Sequence, residues 1–349
     1  MLLVRTALTP AQVLADTLAD ERRLEPPVKV EELVEEFAEV RDISFGVGLG
    51  LDAVLHGLNG LNDGQEQPVL LLNNDFAATR RRFTLAHELG HLLMSWHSGT
   101  MECHLDDQPL DASGSTSRGG RGADSSAWQL ERDANQFASR ILIPRRFVDQ
   151  LDHADPESML EAMAVAEVSA EAAVIGLASQ LPPGYVFALH DPFGGITRVA
   201  YSPDTFNLGL YKGPKQFDKH LLARSMDKSG ETSLRGALIY WGMVQDTMEL
   251  TVADDNWEDI LVELVGRHFP GQGRGGSAWN SACAVASAAH GEFTHDNVPR
   301  LAVRIKQRFL KRSEDFLALV DDPQFDDFAS ARALAFATRP SKKKSKRSN

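Results

Sequence analysis

The sequence has little of several features that define whole classes of protein. Only two of its 349 residues are cysteines, Cys103 and Cys283, and they lie far apart. No disulfide framework is therefore implied, and we expect a reducing, cytoplasmic location. No apolar run is long enough to span a bilayer, and the apolar start at residues 1–5 is too short for a signal peptide. We expect no membrane association.

Positive charge is also scarce, since 36 Lys and Arg face 49 Asp and Glu, which gives a formal net charge of −13. A protein with this charge is repelled by a phosphate backbone, so we expect no direct nucleic-acid binding. The charge is compatible with a protein partner that has a basic surface. Residues 341–349 are the exception, because they are rich in lysine. Such a run is typical of a disordered, solvated tail.

The residues most informative about chemistry are His87-Glu88-x-x-His91, set in an apolar segment. Residues i and i+4 share one face of a helix, so the two imidazoles can bind one ion together. Two imidazoles suit Zn²⁺, and a catalytic site needs a third protein ligand and a position for water. Glu88 is placed to act as general base. The pattern can also arise by chance, but burying three ionisable groups in an apolar helix is costly without a partner.

A third ligand is expected from a second helix, which has apolar residues at helical spacing from Leu130 to Leu142 and ends before Pro144. Glu131, in its first turn, would complete a site of two histidines and a carboxylate. Asn135, one turn later, could hydrogen-bond to a ligand or to substrate. Acidic residues are also favoured near any helix N-terminus, so this pattern alone leaves both interpretations of Glu131 open. If Glu131 is not the ligand, the next residues to consider are His97, Cys103, His104 and Asp106.

The two motifs together resemble the ImmA/IrrE family of zinc metallopeptidases. The resemblance rests on the following segments: 82–91, 131–138, 141–144, 26–33 and 69–74. It covers roughly residues 9–185, about half of the chain.

The resemblance implies that His87, His91 and Glu131 hold Zn²⁺ and that Glu88 is the general base. It also implies a substrate, since family members cleave a helix-turn-helix transcriptional repressor and so relieve repression. Such cleavage would serve a stress response, a mobile element or toxin–antitoxin regulation.

This chain departs from the family pattern in two places. Many members have a histidine one turn after His91, where this chain has Ser95. Residues 111–126, between the two metal helices, are rich in glycine and serine, and we expect a flexible loop that borders the cleft. These departures concern substrate preference and leave the ligands unchanged.

The expected fold class is α+β, with four segments along the chain. A zincin-like metallopeptidase domain with a small sheet and two metal-binding helices occupies residues 1–150. Residues 151–204 contain a helix-turn-helix-like segment and a hairpin around Gly194-Gly195. A mainly helical C-terminal domain of unknown role, including residues 236–248, covers 205–340, and the basic tail follows. The second helix of the helix-turn-helix-like segment is apolar and acidic, which favours a structural or substrate-binding role over DNA contact.

No second catalytic site is expected in the C-terminal half. The glycine-rich residues 271–276 lack the Lys-Ser/Thr ending of a phosphate-binding loop and are read as a turn. Cys283, His290 and His295 match no strong metal-binding spacing. We expect this half to regulate or target the peptidase. The alternative function is a zinc-containing regulatory protein that sequesters a repressor with little or no turnover. Glu88 argues against it, because metal binding alone does not require that residue.

Overall fold

The computed structural model describes residues 8–45, 50–58, 67–97, 101–103, 125–208, 210, 213–216, 223, 226–245, 247–251, 256–291, 297–310, 312 and 314–338. The chain forms two compact units, one made of Met1–Phe217 with Ser229–Met243 and the other of Asp218–Lys228 with Val244–Asn349. The first unit combines helices with two sheets, and the second is mainly helical. The predicted α+β class is confirmed.

Seven α-helices are described in the first unit: α1 Pro10–Arg22, α2 Val30–Glu35, α3 Ala78–Leu93, α4 Ser125–Leu142, α5 Arg145–Val148, α6 Pro156–Ala162 and α7 Ala170–Ala178. Capping residues explain where several begin. Thr9 forms a capping box with Gln12 at the start of α1, and Pro10 occupies the first turn. Ser169 accepts a hydrogen bond from the backbone N–H of Ala172 at the start of α7.

The first sheet contains four strands: β1 Glu39–Ile43, β2 Ala53–His56, β3 Val69–Asn73 and β4 Met101–Cys103. Their order is β1-β3-β2-β4. β1 is parallel to β3, and β2 is antiparallel to β3 and to β4. Leu70 and Leu72 of β3 are fully buried, and α3 begins shortly after this strand.

The second sheet contains five strands: β5 Tyr185–His190, β6 Gly195–Tyr201, β7 Gly213–Gln216, β8 Lys228–Leu234 and β9 Ala237–Met243. Their order is β7-β6-β5-β9-β8. The hairpin predicted around Gly194-Gly195 is confirmed as the β5–β6 pair.

The helix expected at 236–248 is wrong, because Ala237–Met243 is strand β9, antiparallel to β5. Arg235 and Gly236 both have positive φ, at 51° and 81°, and form the tight turn from β8. Ile239 and Trp241 then enter the core, where branched and aromatic side chains suit a strand.

The second helix of the helix-turn-helix-like segment is buried in the first unit, whereas the first helix is partly exposed. The two short helices of the segment, α6 and α7, are confirmed, with a 3₁₀ turn at Met163–Ala166 between them. Every residue of α7 except Glu171 is buried. A helix buried in this way cannot present side chains to DNA bases, which agrees with the structural role favoured from its composition. Residues on both sides of the predicted boundary at 150 share one hydrophobic core.

The described helices of the second unit are α8 Trp257–His268, α9 Ser277–Gly291, α10 Val298–Leu310, α11 Glu314–Val320 and α12 Phe325–Ala337. They surround a core of their own. The predicted turn at 271–276 is confirmed, and Gly271 and Gly275 have φ of 80° and 84° there. Among the described residues, no helix combines the length and apolar character needed to cross a membrane.

Several sequence predictions lie outside the described residues: those for His104, Asp106, residues 111–124, His295 and the tail at 341–349. Residues 125 and 126, the end of the expected loop, instead begin α4.

Candidate metal centre

The two helices expected to bind metal pack directly against each other. The ten residues of α3 from Phe83 to Leu92 are all buried. Gly90 makes the close approach possible, because a Cβ there would lie 3.2 Å from Cδ1 of Phe137 on α4. Phe137 is itself fully buried. The distance between the helices at this crossing therefore depends on the missing side chain at Gly90.

The atoms of the three predicted ligands converge at this crossing. The Nε2 atoms of His87 and His91 are 3.0 Å apart. The Glu131 carboxylate lies 3.2 Å from Nε2 of His87 and 3.6 Å from Nε2 of His91. Both histidines are fully buried, whereas the Glu131 side chain is 16% exposed. The structure thus brings together the three residues predicted as ligands, within 4.8 Å of one another.

These separations suit a tetrahedral metal. Nitrogen and oxygen ligands lie about 2.0–2.2 Å from Zn²⁺, and two corners of such a tetrahedron are then about 3.3–3.6 Å apart. The observed separations of 3.0, 3.2 and 3.6 Å lie close to that edge length. Two imidazoles and one carboxylate are also a donor set that zinc commonly takes in catalytic sites, with a fourth position left for water. The residues present therefore fit the metal that the sequence predicted.

The second nitrogen of each histidine ring also has a partner. Nδ1 of His87 is 2.9 Å from Oδ1 of Asn135, so His87 donates its Nδ1–H to that amide oxygen. In the neutral ring this tautomer leaves the lone pair of Nε2 available to a metal ion. Asn135 was expected to hydrogen-bond to a ligand or to substrate, and its partner in the structure is His87, one of the predicted ligands. Nδ1 of His91 lies 2.7 Å from Nδ1 of His97. Sequence reasoning considered His97 only as a substitute ligand and missed this contact.

The pKa values of the two histidines shift in opposite directions. Burial alone would lower the pKa of His87, but the hydrogen bond to Glu131 and the negative charges of Glu88 and Glu131 outweigh it and raise that pKa. His91 behaves in the opposite way, since burial and the neighbouring His87 and His97 hold its pKa well below the usual value. Burial lowers the pKa of His97 to about 4, so its ring is neutral at neutral pH.

Glu88 is fully buried next to His87 on α3. Its carboxylate is close enough to raise the pKa of His87, which places its negative charge beside the predicted metal ligands. A carboxylate removed from water in this way is costly to keep charged unless positive charge is nearby. A metal ion at the three ligands would provide that charge.

An ion pair holds the helix that carries Glu131. Arg140, near the end of α4, bonds Asp16 of α1 through two nitrogens, with Nε–Oδ1 at 2.5 Å and Nη2–Oδ2 at 2.6 Å. The Arg140 side chain is only 3% exposed. This pair fixes α4 to α1 on the same helix that positions Glu131 and Asn135.

The part of the chain that contains the candidate site is similar to known proteins. Residues 51–178 match the family described as IrrE N-terminal-like domain. A curated relative, the radiation response metalloprotease IrrE of Deinococcus deserti, is 28% identical over 172 residues, which are 44% of this chain and 57% of the relative. The matched region thus spans little more than half the length of that relative. A solved structure, a Mycobacterium tuberculosis transcriptional regulator, aligns at 14% identity with a TM-score of 0.37, over 67% of this chain and 75% of that one.

Proposed function

We propose that this chain is a zinc-dependent endopeptidase of the ImmA/IrrE type that cleaves a helix-turn-helix transcriptional repressor. The match of residues 51–178 to the IrrE N-terminal-like domain and the similarity to IrrE support this proposal. The observation that supports this most is the convergence of His87, His91 and Glu131 at zinc-like separations, with Glu88 buried beside them. The relative is named for a radiation response, which supports a role in regulating a stress response. The expected location is the cytoplasm, where a DNA-binding substrate acts.

Each side chain has a separate task in the proposed reaction. His87, His91 and Glu131 hold the ion, and Asn135 fixes the ring of His87 through Nδ1. When bound, the ion supplies Lewis acidity, which polarises the scissile carbonyl and makes a water molecule more acidic. Glu88 takes the proton from the attacking water and passes it to the leaving amine. Its burial beside His87 keeps this proton transfer away from bulk solvent.

The repressor as substrate is supported by family resemblance and by charge. A net charge of −13 suits a partner with a basic surface, such as a DNA-binding protein. The direct experiment mixes zinc-loaded protein with the helix-turn-helix protein encoded next to it and follows fragments by mass spectrometry. Discrete fragments support the proposal. A complex that forms without cleavage would instead support the alternative, a zinc-containing protein that sequesters the repressor.

A matched pair of variants tests the role of Glu88. Glu88→Gln should bind zinc like the parent protein and cleave at least about 100-fold more slowly, because a general base typically contributes that much. Glu21→Gln, the same change at an exposed residue of α1, should behave like the parent in both assays. Cleavage by Glu88→Gln at the parental rate would show that another group is the base.

The ligand set is tested by metal content. His87→Ala and Glu131→Ala should each lose zinc, as measured by elemental analysis after gel filtration. Full zinc content in Glu131→Ala would point to a different third ligand, and His97 would be the first residue to examine because it contacts His91.

A further inference from the structure

The ring of His91 uses its two nitrogens for different contacts. Nε2 faces the other ligands, 3.0 Å from Nε2 of His87 and 3.6 Å from Glu131. Nδ1, on the other side of the ring, is 2.7 Å from Nδ1 of His97. We propose that His97 is a positioning residue that accepts the Nδ1–H of His91 and thereby fixes the tautomer and orientation in which His91 binds the metal. This inference rests on the metal site of the proposed function.

The positions of the ring protons determine which histidine donates in the hydrogen bond between His91 and His97. A hydrogen bond between two ring nitrogens needs one proton between them, and a metal ligand needs a nitrogen with a free lone pair. If His91 donates from Nδ1, its Nε2 keeps the lone pair that faces His87 and Glu131. If His97 donated instead, a neutral His91 would carry its proton on Nε2 and could not bind the ion there. Only the first arrangement is compatible with metal binding, and it leaves the proton of His97 on Nε2.

The local backbone holds His97 where this bond requires it. α3 ends at Leu93, and the chain then turns so that the backbone N–H of His97 bonds to the carbonyl of Met94 at 2.9 Å. The His97 ring returns to within 4.7 Å of the His91 ring, centroid to centroid. The rings of Trp96 and His97 are nearly perpendicular, with their centroids 5.9 Å apart. His97 is only 2% exposed, so bulk water does not compete for Nδ1 of His91.

Each of the two histidines has a hydrogen-bond partner at Nδ1, but the partners are different residues. Nδ1 of His87 meets the amide oxygen of Asn135 at 2.9 Å, and Nδ1 of His91 meets a ring nitrogen of His97 at 2.7 Å. Asn135 comes from α4, whereas His97 follows α3 itself. The comparison also suggests the best conservative replacement for His97, because an asparagine Oδ1 occupies a position close to that of histidine Nδ1.

A competing interpretation makes His97 a metal ligand in its own right. In this structure its Nδ1 bonds to the nitrogen of His91 that points away from Glu131 and His87. Nδ1 of His97 therefore cannot reach the ion without breaking its bond to His91. The two interpretations predict different effects of replacing His97 by a residue with a side-chain amide. An amide oxygen can accept the N–H of His91, but it need not bind zinc.

The test measures zinc affinity by competition with a chromogenic chelator, using the full chain stripped of metal. His97→Leu, which keeps the bulk and removes the acceptor, should weaken zinc binding by about 10- to 100-fold, the usual effect of losing such a partner. His97→Asn should recover most of that loss. His153→Asn, the same change at a histidine bonded to a backbone carbonyl, should bind zinc like the parent. Equal affinity in parent and His97→Leu would overturn the inference.

Two further readouts separate positioning from a general structural effect. Cobalt-substituted parent and His97→Asn should share one visible absorption spectrum, while that of His97→Leu should differ because the His91 ring is no longer oriented. In the zinc-loaded parent, two-bond proton–nitrogen NMR should show His97 with its proton on Nε2, and this measurement needs no variant to fold. A proton on Nδ1 of His97 would overturn the inference. If the parent binds no zinc, the proposed function falls as well, whereas parental zinc binding with unaffected His97 variants removes this inference alone.

Discussion

The ion pair between Arg140 and Asp16 should be among the most consequential interactions outside the metal site. Arg140 is 3% exposed and bonds Asp16, which is 20% exposed, through two nitrogens. Changing Asp16 to Asn leaves the guanidinium buried without its counter-charge. Removal of one partner of a buried pair costs about 3–5 kcal/mol. Because Asp16 is partly in contact with water, we expect the lower end, about 3 kcal/mol, or roughly a 100-fold smaller equilibrium constant for local folding.

The chain contains a matched exposed pair that serves as a control. Arg22 and Glu36 also form a two-nitrogen bond, at 3.2 and 2.7 Å, but their side chains are 47% and 41% exposed. Exposed pairs contribute about 0–1 kcal/mol, so Glu36→Gln should have almost no effect. The bonded groups are the same in the two pairs, and burial is the main variable that differs.

Hydrogen–deuterium exchange suits this comparison because it reports local stability in a chain with two units. Peptides from α1 and α4 should exchange roughly 100-fold faster in Asp16→Asn and within a few-fold of the parent in Glu36→Gln. Replacing both partners, as Asp16→Leu with Arg140→Met, should recover part of the loss because no charge stays buried. Equal effects of Asp16→Asn and Glu36→Gln would refute the assignment of the energy to burial.

Two further predictions concern helix packing and the extent of the first unit. In Gly90→Ala, a methyl 3.2 Å from the buried Phe137 should separate α3 from α4 and weaken zinc binding. Its overpacking cost of about 1 kcal/mol should cancel the gain in helix propensity. The control is Gly266→Ala, where a Cβ meets nothing described within 4 Å, and it should stabilise α8 by about 1 kcal/mol. Equal zinc affinity in Gly90→Ala and Gly266→Ala would contradict the packing argument. A chain cut after residue 204 should be less stable to urea than one cut after 245, because it loses β9 from beside β5; equal urea midpoints would contradict this.

The helices of the metal site could be predicted because their sequence signals are local. The i,i+4 spacing of His87 and His91 places both rings on one face of a helix. Apolar periodicity indicated α4, and Pro144 indicated its end at Leu142. The position of Glu131 against those rings is a tertiary contact between α3 and α4, so the helical pattern alone left its role open and the family resemblance was needed.

Strand β9 could not be predicted because its sequence is compatible with both a helix and a strand. Ala237 to Met243 is an almost continuous apolar run, which a buried helix and a buried strand share. What distinguishes them is the turn at Arg235 and Gly236, where both residues have positive φ. Arginine is not a usual residue for that conformation, so the sequence contains only half of the usual turn signal.

The contact between His91 and His97 shows a different limit of the sequence. They are six positions apart in the sequence, and on a continuous helix such residues would not meet. They meet because α3 ends at Leu93 and the following turn folds His97 back over the last helical turn. Helix ends are set by the balance of capping, packing and backbone hydrogen bonds, and no capping glycine or proline follows Leu93 to mark this one. The residues proposed to bind a metal can therefore be found from a motif, whereas the residues proposed to orient them depend on where each helix ends.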